Sequence, residues 1–309
     1  MSDVYFLIGL PASGKSTYVK KNFNRIGKPN AIILSSDEIR EELFKDVNNQ
    51  SNNELVFQTL KQRAKNAIDI NRNIIIDATN ITRKSRLSIL NYLEEQFGYF
   101  YVDNWVHYII MATPYYKCLE NNRKRTRQVP DEVITRMYKQ FEFPSLGEFA
   151  YTGDIQIIYP FGYDKNFYGR LNPFEDYNSL SHDNPHHRHS VGQHMHFTKM
   201  FMKMLTNDKV LIKAAEIHDI GKPFVKEFKE DGTAKFYGHQ NVGCYEAMFY
   251  GAAEHFTMSE IIELCTLILH HMDYRMYKDE KQRISQLSYL SLQTRMRLKL
   301  LNLVDEEAH

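Results

Sequence analysis

Cysteine is scarce in this sequence. Cys118, Cys244 and Cys265 are the three in 309 residues, they lie far apart, and they form no C-x-x-C pair. That excludes a disulfide framework and reads as reduced, mostly buried thiols of a cytoplasmic protein. Nor does charge of one sign dominate: 39 basic residues against 38 acidic ones leave a formal net charge of +1. Global charge therefore argues neither for nor against nucleic acid, and any basic surface must be local. No apolar run is long enough to span a bilayer and no signal peptide is present, so no membrane partner is expected. The chain enters its first apolar stretch almost at once, which leaves no room for a targeting extension. Internal repeats and low-complexity tracts are absent as well. What the sequence does have is apolar material: 43% hydrophobic and 13% aromatic residues, enough for substantial cores in about two domains.

One stretch organises the first half: Gly9-Leu10-Pro11-Ala12-Ser13-Gly14-Lys15-Ser16-Thr17. It follows the apolar run Val4–Ile8, read as a buried strand, and precedes a stretch read as the start of a helix. That context turns a G-x-x-x-x-G-K-[ST] match into a phosphate-binding loop. Gly9 and Gly14 allow backbone conformations a side chain would block. The loop amides and the positive end of the following helix face phosphate oxygens. Lys15 supplies a mobile cation for the β- and γ-phosphates, and Ser16 a hydroxyl for Mg2+. Gly9, Ser13, Gly14, Lys15, Ser16 and Thr17 form the expected nucleotide-binding set.

Short apolar runs at Val4–Ile8, Ala31–Leu34, Asn73–Ile76, Trp105–Met111 and Ile155–Tyr159 alternate with amphipathic helical stretches. This predicts a parallel sheet covered by helices, with functional residues just after strand ends. Asp37, in Ser35-Ser36-Asp37-Glu38-Ile39-Arg40, has two readings. Ser36 or Asp37 caps a helix, or Asp37 is the base that accepts a hydroxyl proton during phosphoryl transfer. Arg40, one turn on, is placed to hold an anionic part of the acceptor. Asp77 ends another strand, where it reaches the Mg2+ shell or braces Arg40. Thr79 and Asn80 start the next helix in the plainer reading, and Arg83 and Arg86 are weaker site candidates. The basic run Asn121–Pro130 places Arg123 and Arg127 one helical turn apart, with Pro130 breaking the helix, which suits a lid closing on nucleotide phosphates.

In order, GLPASGKST, SSDEIR, DATN and RKRTRQVP followed by FEFP resemble the P-loop kinase module of the polynucleotide 5′-kinase family. Small-molecule and zeta-toxin-type kinases share parts of this pattern. The resemblance implies transfer of the γ-phosphate of ATP or GTP, with Mg2+, to a 5′-hydroxyl end of RNA or DNA. It implies Lys15 and Ser16 at the phosphates and Mg2+, Asp37 as general base, and Arg40 at the phosphate next to the acceptor nucleoside. Arg127, with Arg123 beside it, would be the lid arginine.

Residues 161–185 lose the alternation and read as a linker rich in Asn, Asp, Tyr, Gly and Pro, whose aromatics suggest that it packs on something. This divides the chain into a kinase-like domain over 1–160, the linker, and a second domain over 186–309. From about Ser190 no convincing strand is legible. Apolar periodicity through Val191–Leu205, Val210–His218, Val242–Phe249, Met258–Leu269 and Leu287–Val304 predicts an all-α domain. Histidine concentrates here. His186, His187 and His189 read as surface residues of a loop, and His196 as a helix-face residue. His218-Asp219, on a helix ended by Gly221 and Pro223, places two polar groups at one protected end. Imidazole and carboxylate together suit a divalent first-row metal, whose chemistry is phosphoester hydrolysis.

NPHHRHSVGQH, AAEIHDIGKP, YGHQNVG, LILHH and NLVDEEAH resemble the HD phosphohydrolase superfamily, especially the HD domains attached to bacterial tRNA nucleotidyltransferases. The resemblance implies His194, His218, Asp219 and Asp305 as ligands of an ion such as Mn2+, Ni2+ or Co2+. His239 and His271, with His270 as a swap for His271, would complete a second site, and Lys222 would touch the scissile phosphate. Together the two resemblances predict a bifunctional enzyme of nucleic-acid end processing in RNA or tRNA repair, with a ligase acting downstream. A nucleoside or nucleotide kinase fused to a nucleotide phosphohydrolase, and a nucleotide-sensing switch with a non-catalytic HD module, are the alternative readings. No oligomeric state follows from the sequence.

Overall fold

The computed structural model describes residues 2–26, 30–98, 106–149, 152–170, 172–183, 188–277 and 279–308, with Pro173, Phe174, Tyr274 and Arg275 described by their backbone alone. The chain forms two compact units, Met1–Ile134 with Leu146–Gly162, and Thr135–Ser145 with Tyr163–His309.

The first unit runs β1 (Val4–Ile8), α1 (Lys15–Ile26), β2 (Ile32–Ser35), α2 (Ser36–Phe44), α3 (Asn53–Asp69), β3 (Ile74–Asp77), α4 (Arg83–Phe97), β4 (Val106–Met111), α5 (Tyr115–Arg123), α6 (Asp131–Lys139) and β5 (Thr152–Ile158). From Thr135 onward α6 belongs to the second unit. Among the described residues the strands form a five-stranded parallel sheet in the order β2-β3-β1-β4-β5. Central β1 is buried at every position, as expected of a parallel strand covered on both faces. Tyr5 and Leu7 of β1, Ile75 of β3 and Ile109 and Met111 of β4 make one face, which packs on Val19 and Ile26 of α1. The apolar runs suggested that β2 and β3 end at Leu34 and Ile76. Both continue one residue, and the polar pair Ser35 and Asp77 stays in register at the carboxyl edge. Trp105, the expected start of β4, lies outside the described residues.

The second unit continues with α7 (Lys165–Gly169), α8 (Pro173–Asp176), α9 (Val191–Leu205), α10 (Lys209–Ile217) and α11 (Lys222–Val225). A hairpin of β6 (Glu227–Phe228) and β7 (Ala234–Lys235) follows, then α12 (His239–Ala253), α13 (Met258–His270), α14 (Asp273–Met276), α15 (Glu280–Gln286) and α16 (Leu292–Glu307). The domain is helical as expected, apart from the hairpin, whose two-residue strands are too short to show a period of two. α12 is buried without a break from Val242 to Gly251, the pattern of a helix at the centre of a bundle. Ser190 and Gln193 form a capping box that starts α9. Upstream, Tyr168 is buried and stacks on Phe249 with ring centroids 5.0 Å apart, so the Asn- and Tyr-rich segment packs on α12. No helix among the described residues is long and apolar enough to cross a membrane.

Candidate functional site

The loop after β1 is clamped from three sides. Gly9 N donates to Thr79 O (3.1 Å), and the Asn80 side chain donates to Leu7 O (2.8 Å). Thr113 Oγ1 donates to Ser13 O (2.9 Å) from the end of β4, and Asn121 Nδ2 to Ala12 O (3.3 Å) from α5. Thr79 and Asn80 are therefore braces of the loop rather than the start of a helix; Thr82 caps α4. Asn80 adopts this role in a left-handed conformation (φ 48°), which Asn tolerates better than most residues. A Cβ on Gly9 would sit 2.7 Å from Ser13 Oγ and 3.2 Å from Met111 O, so only glycine lets the loop pass β4. α1 begins at Lys15, with Ser16 and Thr17 exposed in its first turn. Lys15 Nζ donates to Gly9 O and Leu10 O, both at 2.8 Å. Burial pulls the Lys15 pKa down, against the opposing fields of Asp77, Cys118 and Asp37. The buried Ser13 hydroxyl has no partner among the described residues. A cradle that a Cβ would fill, an orphaned hydroxyl and a helix N-terminus fit a nucleotide phosphate.

At the carboxyl end of β2, Ser35 caps α2 by accepting from Glu38 N. The expected cap at Ser36 or Asp37 is thus one or two residues too late, because β2 ends on Ser35, and Asp37 is left to other partners. It takes Arg40 Nη1 at 3.0 Å and Arg127 Nη1 at 2.6 Å. Arg127 also donates to Val47 O and Asn48 Oδ1. The expected single helix carrying Arg123 and Arg127 does not form. α5 stops at Arg123, and the buried Asn122 side chain ties the following loop through both Val129 N and Val129 O. Arg127 reaches Asp37 from that loop, whereas Arg123 is exposed and pairs with Asp131 at 2.7 Å. Pro130 consequently precedes α6 instead of breaking a helix. Arg86, one of the weaker candidates, is drawn inside the unit. It is fully buried, donates to both oxygens of Glu148 (2.8 and 2.9 Å) and donates to Asn80 O (2.9 Å).

In the second unit, four imidazoles converge on one carboxylate. His194 comes from α9, His218 and Asp219 from the turn after α10, His239 from the start of α12, His271 from the end of α13, and Asp305 from the last turns of α16. The pair His218-Asp219 sits just beyond its helix, not on it. A Cβ on Gly221 would fall 2.0 Å from His239 O, so glycine lets this turn lie against α12. The donor atoms of His194, His218 and Asp219 lie within 4.8 Å of one another, as do those of Asp219, His239 and His271. His194 Nε2 is 2.8 Å from Asp305 Oδ1. Each ring presents Nδ1 to a backbone carbonyl: Ala308, Ala215, Phe236 and Ile268 in turn. With Nδ1 carrying the proton, the Nε2 lone pairs face inward, the tautomer a metal ligand needs. His270 turns away, to Asp273 Oδ2 (2.6 Å) and the Tyr289 hydroxyl (3.1 Å).

The electrostatics suit a cation. Burial opposes a charge on His218, but Asp219 and Asp305 outweigh it and lift its pKa to about 10. Burial, His239 and His218 push His271 down to about 3. Burial would raise Asp219, yet Lys222 and His218 hold it well below the carboxylate range. The donor set of imidazole nitrogens and carboxylate oxygens fits two divalent ions sharing Asp219. Lys222 Nζ lies 2.6 Å from Asp219 Oδ2 and 3.0 Å from Nε2 of His182. His182 was not singled out in the sequence, where it lies just before the NPHHRHSVGQH stretch. It is buried, and burial and Lys222 lower its pKa to about 4, so the neutral ring accepts from the ammonium. Its other nitrogen faces His189 O at 2.9 Å. His196 lies on α9, its ring 5.9 Å from that of Phe197; His186 and His187 lie outside the described residues.

Residues 4–144 match the AAA domain family and residues 187–306 the HD domain family. The first match takes in the phosphate loop and the second all six residues of the His/Asp cluster, and each covers less than half of the chain. Among curated proteins it resembles the L-seryl-tRNA(Sec) kinase of Methanococcus maripaludis, with 31% identity over 146 residues. The match covers 45% of this chain and 52% of that protein, so the chain spans about half the length of this relative. Two solved structures are similar in part. One chain of the Pnkp1/Rnl/Hen1 complex has 21% identity and a TM-score of 0.34, covering 41% of this chain and 40% of that one. One of the Pnkp1/Rnl/Hen1 RNA repair complex has 19% identity and a TM-score of 0.39, covering 49% and 47%.

Proposed function

We propose that this protein processes nucleic-acid ends through two separate phosphate chemistries. The first unit transfers the γ-phosphate of ATP or GTP to a 5′-hydroxyl of RNA or DNA. The second hydrolyses a terminal 2′ or 3′ phosphate, or a 2′,3′-cyclic phosphate, and a ligase acts downstream. The observation that carries the reading is Asp37. It is not spent as a helix cap, and it is held by arginines from α2 and from the basic loop. In this reading Asp37 accepts the hydroxyl proton as the phosphoryl group arrives. Arg40, buried and anchored to Asn53 Oδ1 at 2.8 Å, orients the acceptor phosphate. Arg127 swings from Asp37 to the transferring charge, Lys15 leaves the loop carbonyls for the β/γ-phosphates, and Ser16 faces Mg2+. Arg123, paired with Asp131 on the surface, contributes to the field at most.

In the second unit His194, His218, Asp219 and Asp305 would hold one divalent ion, and Asp219, His239 and His271 the other. Such ions supply Lewis acidity toward phosphate oxygens and a more acidic water. The chain itself orients the imidazoles through their Nδ1 bonds, and Lys222, steadied by His182, binds the ester phosphate.

A second reading of the acceptor is favoured by the relative that acts as an L-seryl-tRNA(Sec) kinase: a hydroxyl borne by an aminoacyl-tRNA. One experiment separates these. Purified protein is incubated with γ-labelled ATP or GTP and a 5′-OH oligonucleotide, seryl-tRNA or a mononucleoside. Label on the oligonucleotide that is lost in Asp37→Ala supports the first reading, and label on seryl-tRNA alone supports the second. Absence of label from every polynucleotide refutes both. Release of phosphate, or opening of a cyclic phosphate, with Mn2+, Ni2+ or Co2+ tests the HD unit in the same samples.

A further inference from the structure

Within the second unit, lined in part by the residues that follow Lys222, lies a cleft of about 700 Å³. That is the size of a small-molecule pocket. Its walls are unlike an ordinary protein surface. Phe167 is 62% exposed and Phe224 45% exposed, and between them lie Arg170, Tyr177, Leu180 and Pro223. Arg170 is exposed. The two carboxylates at the rim are occupied by backbone donors: Asp164 accepts from Asn166 N and Phe167 N, and Asp176 from Asn172 N at 3.0 Å. The cleft therefore offers aromatic faces and one guanidinium, with two carboxylates turned toward backbone donors at its rim.

Both walls connect by short steps to the histidine–aspartate cluster. Val191 N donates to Leu180 O (2.9 Å) and Gly192 N to Tyr177 O (3.1 Å), which fixes one wall to the first turn of α9, the helix of His194. The other wall, Pro223 and Phe224, directly follows Lys222, whose ammonium sits 2.6 Å from Asp219. Because Pro223 follows Lys222 directly, a polymer held by its terminal phosphate at Lys222 would have this wall within reach of its next nucleotides.

We propose that the cleft is a base-stacking subsite for the single-stranded polynucleotide end that the HD unit processes. The inference rests on the phosphohydrolase reading given above and names what would distinguish its substrate from a small phosphate ester. Bases stack on the exposed Phe167 and Phe224 rings, and Arg170 pairs with a backbone phosphate. Aromatic platforms beside a cation bind single strands with little sequence preference.

The test uses the full chain. Phe167→Ala combined with Arg170→Ala is compared with wild type on an oligonucleotide carrying a 3′-phosphate and on p-nitrophenyl phosphate, with RNA and DNA arms. The expected result is a rise in KM for the oligonucleotide of roughly ten- to a hundred-fold. kcat, and hydrolysis of p-nitrophenyl phosphate, stay unchanged, and Phe167→Trp with Arg170 intact restores KM. Independently, an oligonucleotide with 5-iodouridine near its 3′ end is photo-crosslinked and the adduct mapped by mass spectrometry. An adduct on Phe167, Tyr177 or Phe224 supports the subsite. Adducts confined elsewhere, or an unchanged KM in the double variant, overturn it. If neither ester is hydrolysed with any ion, the phosphohydrolase reading fails, while the crosslink still decides whether the cleft binds single strands.

Discussion

Asp219 is the one residue common to both donor sets, so a single substitution separates one shared centre from two independent ones. Its Oδ2 lies 3.4 Å from His218 Nε2 and 3.7 Å from His194 Nε2. Its Oδ1 lies 3.2 Å from His239 Nε2 and 3.9 Å from His271 Nε2. Asp219→Asn keeps the shape and removes the charge. It also leaves the Lys222 ammonium, now 2.6 Å from a carboxylate oxygen, as uncompensated positive charge facing the imidazoles. Removing one partner of a buried ionic cluster costs roughly 3–5 kcal/mol. Outer-shell partners alone are worth about 10- to 100-fold in ion affinity, so losing the shared ligand should cost at least that much on both sets. His271→Ala removes one nitrogen from one set only. Metal content per chain after dialysis against Mn2+ or Co2+ is the assay, with titration calorimetry for affinity. Wild type should hold two ions, His271→Ala one, and Asp219→Asn neither. Added ion should also raise the melting temperature of wild type but not of Asp219→Asn, since only ions bound to the folded state stabilise it. If Asp219→Asn retained even one ion at wild-type affinity, the shared-carboxylate arrangement would be wrong.

Arg86→Met should destabilise the first unit by roughly 3–5 kcal/mol, because Glu148 loses a buried bidentate partner; Arg86→Met with Glu148→Leu should recover most of this in denaturant melts while nucleotide binding persists. Equal loss in the double variant would point instead to a site role for Arg86. Glu246 is buried between the hydroxyls of Tyr138 and Tyr168, and burial raises its pKa against those two donors. A carboxyl raised in the folded state adds stability below its unfolded pKa of about 4.3 and withdraws it as pH climbs through the folded value. Glu246→Gln should therefore gain on wild type between pH 4 and pH 8 in urea melts, and a constant difference over that range would contradict the burial. His182→Ala removes the neutral acceptor of Lys222, a hydrogen bond to a charged group. It should raise KM for a phosphoester roughly ten- to a hundred-fold at unchanged metal content, whereas loss of metal would assign His182 to the ion instead.

The two chemistries were legible in the sequence to different depths, and the boundary follows how far away the deciding atom lies. The phosphate loop is written locally, because a tight turn, a cation and a helix start must be consecutive to cradle a phosphate. The parallel sheet and the helical half follow from periodicity, since strand and helix faces repeat within a few residues. The imidazoles near residues 194, 218, 239 and 271 stand out as residue types, but their convergence depends on Gly221 letting a turn touch α12. Where two readings competed locally, a neighbour decided. Ser35, at the end of β2, took the cap and left Asp37 to the arginines. His271 rather than His270 joined the cluster, because Asp273 and Tyr289 hold the latter. Where the deciding partner was distant in sequence, the local reading failed. Arg86 was one of the weaker site candidates, and Glu148, distant in sequence, is what holds it. Arg127 was read onto a helix with Arg123, but from its loop it pairs with Asp37, far back in the chain. His182 was passed over beside a named motif, because its contact is with Lys222, forty residues later. A charged or polar side chain in a fold of this kind is thus assigned by its long-range partner, and residue type alone narrows the choice without making it.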